Sequence, residues 1–249
     1  MIELKTASEL DRMRQAGHIV ANLLAQLRAL VRPGLKTQAL DAKTRAFLKR
    51  TNATPAFLGY RGFPAAVCVS VNDEVVHGIP GERVLREGDV VSLDAGAIVG
   101  GFYADAATTV VLGDGTPQAR RLTDTTRLAL ERGIAQAVVG HRLSDISHAV
   151  QACVEQAGFS VVRDFVGHGI GRALHEDPPI PNYGPPNMGP RLKAGMVLAI
   201  EPMVTMGGAD VRVLGDGWTA VTTDGSWAAH FEHTVAVTDN GPDILTTLG

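Results

Sequence analysis

The chain has few cysteines and no long apolar run, and these two features argue against a disulfide-rich secreted protein and against a membrane-spanning one. Cys68 and Cys153 are the only cysteines among 249 residues, too few for a disulfide framework. We therefore expect a reducing compartment and predict a cytoplasmic protein. No apolar stretch approaches the ~20 residues that a membrane-spanning helix needs, and the N-terminus is charged and helical in pattern, unlike a signal peptide.

The sequence also lacks an excess of charge of one sign. Its formal net charge is −3, so it offers no basic field for nucleic acid or for an anionic membrane. Hydrophobic residues make up 45% and charged residues 20% of the chain, as in ordinary globular proteins. We expect a single domain over residues 1–249, with no membrane partner and no specific nucleic-acid partner.

Helices and strands are predicted along the whole chain. Four helices follow from apolar residues at helical spacing and from capping signals, at 6–31, 38–49, 120–139 and 144–157. Strands are predicted from β-branched and apolar runs at 66–71, 108–112, 159–166 and 196–203, and in a hairpin of 219–223 with 228–237. Segments 53–64 and 177–190 are predicted loops, the second because it holds six prolines.

The stretch 90–109, VVSLDAGAIVGGFYADAATT, places two carboxylates in apolar, glycine-rich surroundings. Asp94 and Asp105 fall on two consecutive predicted strands, and we expect Ala95-Gly96 to turn or bulge the first of them. Acidic side chains are almost never buried unless they are paired or bind a cation. Two of them on one hairpin would repel each other, and a divalent metal ion would remove that objection.

Three later residues extend this set: His168 in GHGIGRALH, Glu201 in MVLAIEPM and Glu232 in FEHTVAVTD. Four carboxylates and one imidazole without a thiolate suit Mn(II), Fe(II), Co(II) or Zn(II). Two ions bridged by two carboxylates would balance the charge better than one ion. Taken singly, most of these residues have a plain structural explanation, such as a turn or a loop histidine. Taken together, they predict a metal site.

A weak internal repeat relates the two halves of the chain. The pattern LxxGxVxxxD ending at Asp94 parallels LxxGxVxxxE ending at Glu201, and His-Gly-Ile precedes both. Glycine-plus-apolar strands can resemble each other by chance, but here polar positions align as well. We interpret the pattern as a duplication with halves near 1–115 and 116–249, which predicts two similar α+β halves with the site between them.

The motifs VNDEVVHGIP, SLDAG…YADAATT, GHGIGRALHEDP, AIEPM and FEHTVAVTDNG resemble those of type I methionine aminopeptidases over nearly the whole chain. The resemblance implies the family's duplicated pita-bread fold, with two pseudo-symmetric halves, a central curved antiparallel sheet and outer helices. It implies removal of the N-terminal methionine from nascent proteins and peptides with a small second residue, by attack of a metal-bound hydroxide. The implied partners are nascent N-termini, with ribosome association left open, for a monomeric enzyme. Without an N-terminal extension or the type II helical insert, we expect the minimal type I form.

The resemblance also implies a role for each site residue. Two divalent ions (Co, Mn, Fe(II) or Zn) would be bound as follows: Asp94 on one ion, His168 and Glu201 on the other, and Asp105 and Glu232 between them. Glu201 would also act as the general base. His77 and His175 would be catalytic and would contact the substrate, His77 near the scissile amide nitrogen and His175 at the oxyanion. The methionine side chain would lie in a pocket of Tyr60, Phe63, Cys68 and Trp218. Leu174 departs from the aromatic residue that some members of the family carry, which leaves the shape of that edge open.

Three other hypotheses stand beside this one. A prolidase or aminopeptidase P-like peptidase shares the fold but usually carries an additional N-terminal domain. A catalytically inactive pita-bread protein would bind partners and would have lost metal ligands, whereas all five are present here. A mononuclear Fe(II) oxygenase using His168, His175 and one carboxylate would leave three carboxylates unexplained.

Overall fold

A computed structural model describes residues 2–248, in which four α-helices occur. The first begins at the predicted capping box, where the backbone N–H of Thr6 donates to Glu9 Oε2 at 2.8 Å. The third begins earlier than predicted, because the Thr116 hydroxyl caps it by accepting from the Ala119 N–H and Pro117 favours a first helical turn. None of the four is long and apolar enough to cross a bilayer. Their bounds are α1 Ala7–Leu30, α2 Gln38–Arg50, α3 Pro117–Ile134 and α4 Leu143–Gln156.

Fifteen strands lie in the same described residues, and a short 3₁₀ turn spans Tyr60–Gly62. In chain order the strands are β1 Thr54–Pro55, β2 Val67–Val71, β3 Glu74–Val76, β4 Val90–Val99, β5 Phe102–Val111, β6 Ser160–Val161, β7 Gly167–Gly169, β8 Glu176–Ile180, β9 Val197–Ile200, β10 Met203–Thr205, β11 Val211–Val213, β12 Ala220–Thr222, β13 Ala228–His230, β14 Glu232–Thr238 and β15 Gly241–Ile244.

One nine-stranded sheet joins the two halves of the chain. Its order is β1-β4-β5-β14-β9-β7-β8, with β2 on β4 and β15 on β14. The halves meet at β5 and β14, where Ala107 pairs with Glu232 and Ala106 with His233. Helices α1 and α2 bury apolar side chains such as Leu23 against β2, β4 and β5. Residues of α3 and α4 pack on β9 and β14 in a second core.

The β4–β5 hairpin is more regular than predicted. Its register runs without a break from Val90 opposite Val111 to Val99 opposite Phe102, so the turn or bulge expected at Ala95-Gly96 was wrong. Glycine is required at position 96 for a steric reason instead, because a Cβ there would lie 2.9 Å from the side chains of Ala56 and Phe57. The turn is made at Gly100-Gly101, whose φ angles of 55° and 80° suit glycine.

Two predicted elements of the second half were also wrong in detail. The strand predicted at 196–203 divides at Glu201-Pro202, because β9 stays in the large sheet while β10 pairs with β13 and β6. The predicted hairpin of 219–223 with 228–237 does not form, since β12 pairs with β11 and β3 instead. Segment 228–237 itself divides at Phe231 into β13 and β14.

The remaining boundary errors are smaller. The loop predicted at 177–190 begins as β8, whose prolines are tolerated because β8 is at the edge of the sheet. The strand predicted at 159–166 is reduced to β6, and helix α3 ends at Ile134 rather than at residue 139. The loop predicted at 53–64 contains β1 and the 3₁₀ turn.

Candidate metal centre and substrate pocket

Two rows of residues cross the large sheet and place the acidic side chains on one face. In the first row, Cys68 on β2 lies opposite Asp94 on β4, Asp94 opposite Ala107 on β5, and Ala107 opposite Glu232 on β14. Directly paired residues point to the same face of a sheet. Ala107 is small, so it leaves open space between the two carboxylates.

The second row lies two residues along the strands and therefore on the same face. His168 on β7 is opposite Ala199 on β9, and Ala199 is opposite Thr234 on β14. The Thr234 hydroxyl lies 2.7 Å from the backbone carbonyl oxygen of Asp105 and 3.2 Å from Asp105 Oδ1, which ties β14 to β5 at this row. Gly96 is opposite Asp105 on the other side. The alternation of small and functional residues thus brings Asp94, Asp105, His168 and Glu232 together.

Glu201 reaches the same place from the point where the chain leaves the large sheet after β9. Its Oε1 atom lies 3.4 Å from His168 Nε2, and Asp105 Oδ2 lies 3.5 Å from the same nitrogen. Candidate ligand atoms of Asp105, His168 and Glu232 all lie within 4.8 Å of one another. We refer to Asp94, Asp105, His168, Glu201 and Glu232 as the floor of the site.

His168 is oriented as a metal ligand would be. Its Nδ1 lies 2.9 Å from the carbonyl oxygen of Gly169, which can only accept, so Nδ1 carries the hydrogen. Burial lowers the pKa of His168 to about 4, and the ring is therefore neutral at neutral pH. The Nε2 lone pair then faces Glu201 Oε1 and Asp105 Oδ2, an arrangement in which a bound cation would be the shared partner of all three atoms.

The floor also has unfavourable electrostatics that a cation would relieve. Burial raises the pKa of Asp105 to about 7. Burial, followed by the charge on Asp105, raises the pKa values of Asp94, Glu201 and Glu232 well above the usual range. The Oδ1 atom of Asp94 is buried without a hydrogen-bond partner. Buried carboxylates in this number are tolerated when they bind metal ions, so these residues fit a divalent metal site.

A cavity of about 180 Å³ opens above the floor. Phe63 and Trp218 meet edge to face on one wall, with ring centroids 5.1 Å apart. Cys68 is buried next to Asp94 across the strands, where the aromatic wall meets the floor. All the predicted site residues line this one cavity: Tyr60, Phe63, Cys68, His77, Asp94, Asp105, His168, His175, Glu201, Trp218 and Glu232, and Leu174 as well.

Two histidines stand above the floor on connecting segments. His175 is exposed at the mouth, with its ring 4.2 Å from that of His168 and its Nδ1 2.8 Å from the Tyr60 hydroxyl. His77 follows β3 with a φ of 61°, a conformation that costs energy for a residue other than glycine. Its ring packs edge-on against Trp218. We refer to Tyr60, Phe63, His77, His175 and Trp218 as the rim of the site.

Seven further residues line the cavity and were missed from the sequence: Phe57, Arg61, Val76, Phe165, Val166, Met203 and His230. Among them, His230 could take part in binding or proton transfer, because its Nε2 is buried without a hydrogen-bond partner. A sequence signal for it did exist, because His230 precedes Glu232 by two residues, the spacing that places side chains on one face of a strand.

Comparisons with known proteins find relatives over nearly the whole chain. The model of the family described as "Metallopeptidase family M24" matches residues 11–239. Methionine aminopeptidase 1 of Bacillus subtilis (strain 168) is 53% identical over 246 residues, which cover 99% of this chain and 99% of that protein. A methionine aminopeptidase of Clostridium acetobutylicum is 52% identical over 247 residues and covers 99% of both chains.

Solved structures extend the similarity to the fold. The crystal structure of methionine aminopeptidase from Thermotoga maritima matches with a TM-score of 0.98 and 50% identity, over 99% of this chain and 100% of that one. Prolidase from Pyrococcus furiosus matches with a TM-score of 0.81 at 22% identity, over 98% of this chain and 65% of that one, which supports the fold alone. These neighbours confirm the predicted α+β pita-bread fold.

Proposed function

This chain belongs to metallopeptidase family M24, and from its site we infer that it is a methionine aminopeptidase, a metal-dependent hydrolase that removes the N-terminal methionine of polypeptides. The observation that carries this function is the joining of two unlike surfaces in one cavity. An acidic floor suited to metal ions adjoins an aromatic wall suited to an apolar side chain. A peptide N-terminus needs both, because its amine and carbonyl are polar while the methionine side chain is not.

We propose that the floor holds two divalent ions of Co, Mn, Fe(II) or Zn. Asp105 and Glu232 lie on the central strands β5 and β14, between Asp94 on β4 and His168 on β7. This order supports Asp105 and Glu232 as the ligands that the ions share, with Glu201 on the His168 side. Bound divalent ions would polarise the substrate carbonyl and lower the pKa of water.

The chain's own residues would handle the protons and the developing charge. Glu201 would act as the general base, because its carboxylate lies in the floor beside His168, with Oε1 3.4 Å from His168 Nε2. His175 would donate to the oxyanion from Nε2, while Tyr60 holds its Nδ1 at 2.8 Å. His77, with a pKa lowered to about 4 by burial and then by His175, would meet the scissile amide nitrogen as a neutral ring.

The methionine side chain would be held by the aromatic residues of the rim and by the thiol beside them: Tyr60, Phe63, Trp218 and Cys68. Phe63 and Cys68 are buried, while Tyr60 and Trp218 are half-buried at the mouth, so the slot is closed at one end. Aromatic faces and a thiol make favourable contacts with a thioether. Leu174 is buried in the same apolar cluster and shapes one edge of the slot.

The experiment that tests this function is methionine release from Met-Gly and Met-Ala peptides. Metal-stripped protein is titrated with Mn(II), Fe(II), Co(II) or Zn(II), and we expect activity to return with metal and to be lost in Glu201→Ala. Met-Ile, Leu-initial and Pro-containing peptides serve as controls. Release from Xaa-Pro peptides with none from Met-Ala would favour the prolidase alternative. No release from any peptide by folded, metal-loaded protein would favour a binding protein.

We also propose a cytoplasmic setting and a monomeric state for the enzyme. Both cysteines are free, which agrees with a cytoplasmic enzyme that meets nascent N-termini near the ribosome. All floor and rim residues come from one chain, and one sheet joins the halves near 1–115 and 116–249, which supports a monomer with one domain. Co-sedimentation with translating ribosomes and the mass of the protein in solution test these points.

A further inference from the structure

His230 is the buried ionisable residue of the cavity to which no role has yet been given. It ends β13, opposite Met203 of β10, and is only 2% exposed. Its backbone is held on both sides by Thr109, whose hydroxyl lies 3.0 Å from the His230 nitrogen and 2.6 Å from its carbonyl oxygen. These contacts fix the backbone of His230, and its buried side chain lines the cavity.

The polar atom that this placement aims into the site is Nε2. It is buried and lacks a hydrogen-bond partner, and Glu201 Oε2 lies 3.7 Å from it. The other oxygen of the same carboxylate, Oε1, lies 3.4 Å from His168 Nε2. Glu201 is thus flanked by two histidines, one on each oxygen. An unpartnered buried polar atom is costly, so its retention calls for a partner.

We propose that His230 is a positioning residue for Glu201, donating a hydrogen bond from Nε2–H to Oε2 in the working enzyme. The inference rests on the proposed function, because it concerns the carboxylate assigned there as ligand and general base. Hydrogen bonds of active sites are often long in unliganded structures, and closing the gap from 3.7 Å to about 3.0 Å would complete this one. Oε1 would then be held towards His168 and the metal.

A role as an additional metal ligand fits the geometry less well. His230 approaches the oxygen of Glu201 that faces away from His168. Carboxylates that bind metals are commonly held by such outer hydrogen bonds, whose loss typically costs ~10–100-fold in metal affinity or activity.

The test compares His230→Leu, which removes the donor, with His230→Gln, whose amide keeps an N–H of similar reach. Metal affinity is measured by calorimetry on metal-stripped protein, and kcat and KM with Met-Ala peptides on metal-loaded protein. We expect His230→Leu to lower kcat or metal affinity by about 10–100-fold with KM nearly unchanged, and His230→Gln to recover most of the loss. His233→Gln is the matched control, because its imidazole is bound to Thr246 and does not line the cavity.

Three outcomes would overturn the proposal: wild-type affinity and kcat in His230→Leu, equal loss in His230→Gln, or a change in KM alone. The first leaves the aminopeptidase function standing, which separates the two hypotheses. Should His230→Leu fail to fold, nitrogen NMR of the zinc-loaded wild-type protein decides, with the His230 signal identified by its absence in His230→Gln. A hydrogen on Nε2 agrees with the proposal, and a bare Nε2 contradicts it.

Discussion

The floor and the rim of the site differ in how the chain holds them. Four floor residues lie within strands of the large sheet, whose hydrogen bonds fix their backbones: Asp94, Asp105, His168 and Glu232. The fifth, Glu201, directly follows β9 of the same sheet. Rim residues lie on connections: Tyr60 in a 3₁₀ turn, and His175 and Trp218 between strands. Charges that repel each other need a rigid support, whereas a pocket that admits and releases peptides can be built on loops.

Removing a floor carboxylate should have the largest effect. We expect Asp105→Asn to lower kcat by more than about 10²-fold, beyond the usual loss of an outer hydrogen bond, because a shared ligand is lost. Metal at 100 times Kd should stabilise the wild type by about 2.7 kcal/mol in thermal unfolding, and this gain should shrink in the variant.

The metal-free form of Asp105→Asn gives an opposite and independent result. In the metal-free wild type, burial raises the pKa of the Asp105 carboxyl to about 7, above its unfolded value, so stability is lost as the pH rises towards 7 and this loss is complete above it. The metal-free variant should therefore melt at a higher temperature than metal-free wild type at pH 8. Asp243→Asn, which affects an ion pair with Arg14 outside the cavity, is the control. Equal metal-induced stabilisation of Asp105→Asn and of wild type would show that Asp105 does not bind the metal.

The next largest effect should come from the rim residue nearest the reacting carbonyl. His175→Ala should lower kcat by about 10²–10³-fold while KM changes little, because a donor to the oxyanion acts mainly in the transition state. Steady-state kinetics with Met-Ala peptides measure this, with exposed His18→Ala as the control. A raised KM with kcat unchanged would instead place His175 in substrate binding.

A smaller effect is expected where the rim contacts only the side chain. Trp218→Ala removes an aromatic face that packs on Phe63 and should raise KM for methionine peptides by roughly 10-fold. Its kcat should fall less than that of His175→Ala. If discrimination between Met-Ala and Leu-Ala peptides is unaltered, Trp218 does not line the methionine slot in the working enzyme.

The smallest effect is expected from the loss of a single hydrogen bond, the one between Tyr60 and His175. Tyr60→Phe keeps the ring that stacks on His175 but removes the hydroxyl at 2.8 Å from Nδ1. A neutral hydrogen bond contributes about 0.5–1.5 kcal/mol, so kcat should fall by at most about 10-fold. An effect as large as that of His175→Ala would mean that Tyr60 itself contacts the reacting atoms.

The comparison of floor and rim also explains what could be predicted from the sequence. Floor residues such as those in VVSLDAG and MVLAIEPM stand out because an acidic residue is unusual within an apolar strand, which is a local signal. His230 was missed although its spacing from Glu232 was a local signal, because its approach to Glu201 is a contact between distant segments, made where the chain changes sheets. Gly96 was misread as a turn, since the side chains of Ala56 and Phe57 that require it lie far away in sequence.

Local chemistry in the sequence determined the elements and the inventory of the site. The capping signals, the apolar periodicity and the five acidic and histidine residues of the floor all reflect near neighbours in the sequence or residue type. Only the tertiary structure decided the pairing of β5 with β14, the change of sheet at Glu201-Pro202 and the approach of His230 to Glu201. These depend on contacts between distant segments, whose register and spacing are set by packing rather than by any local pattern.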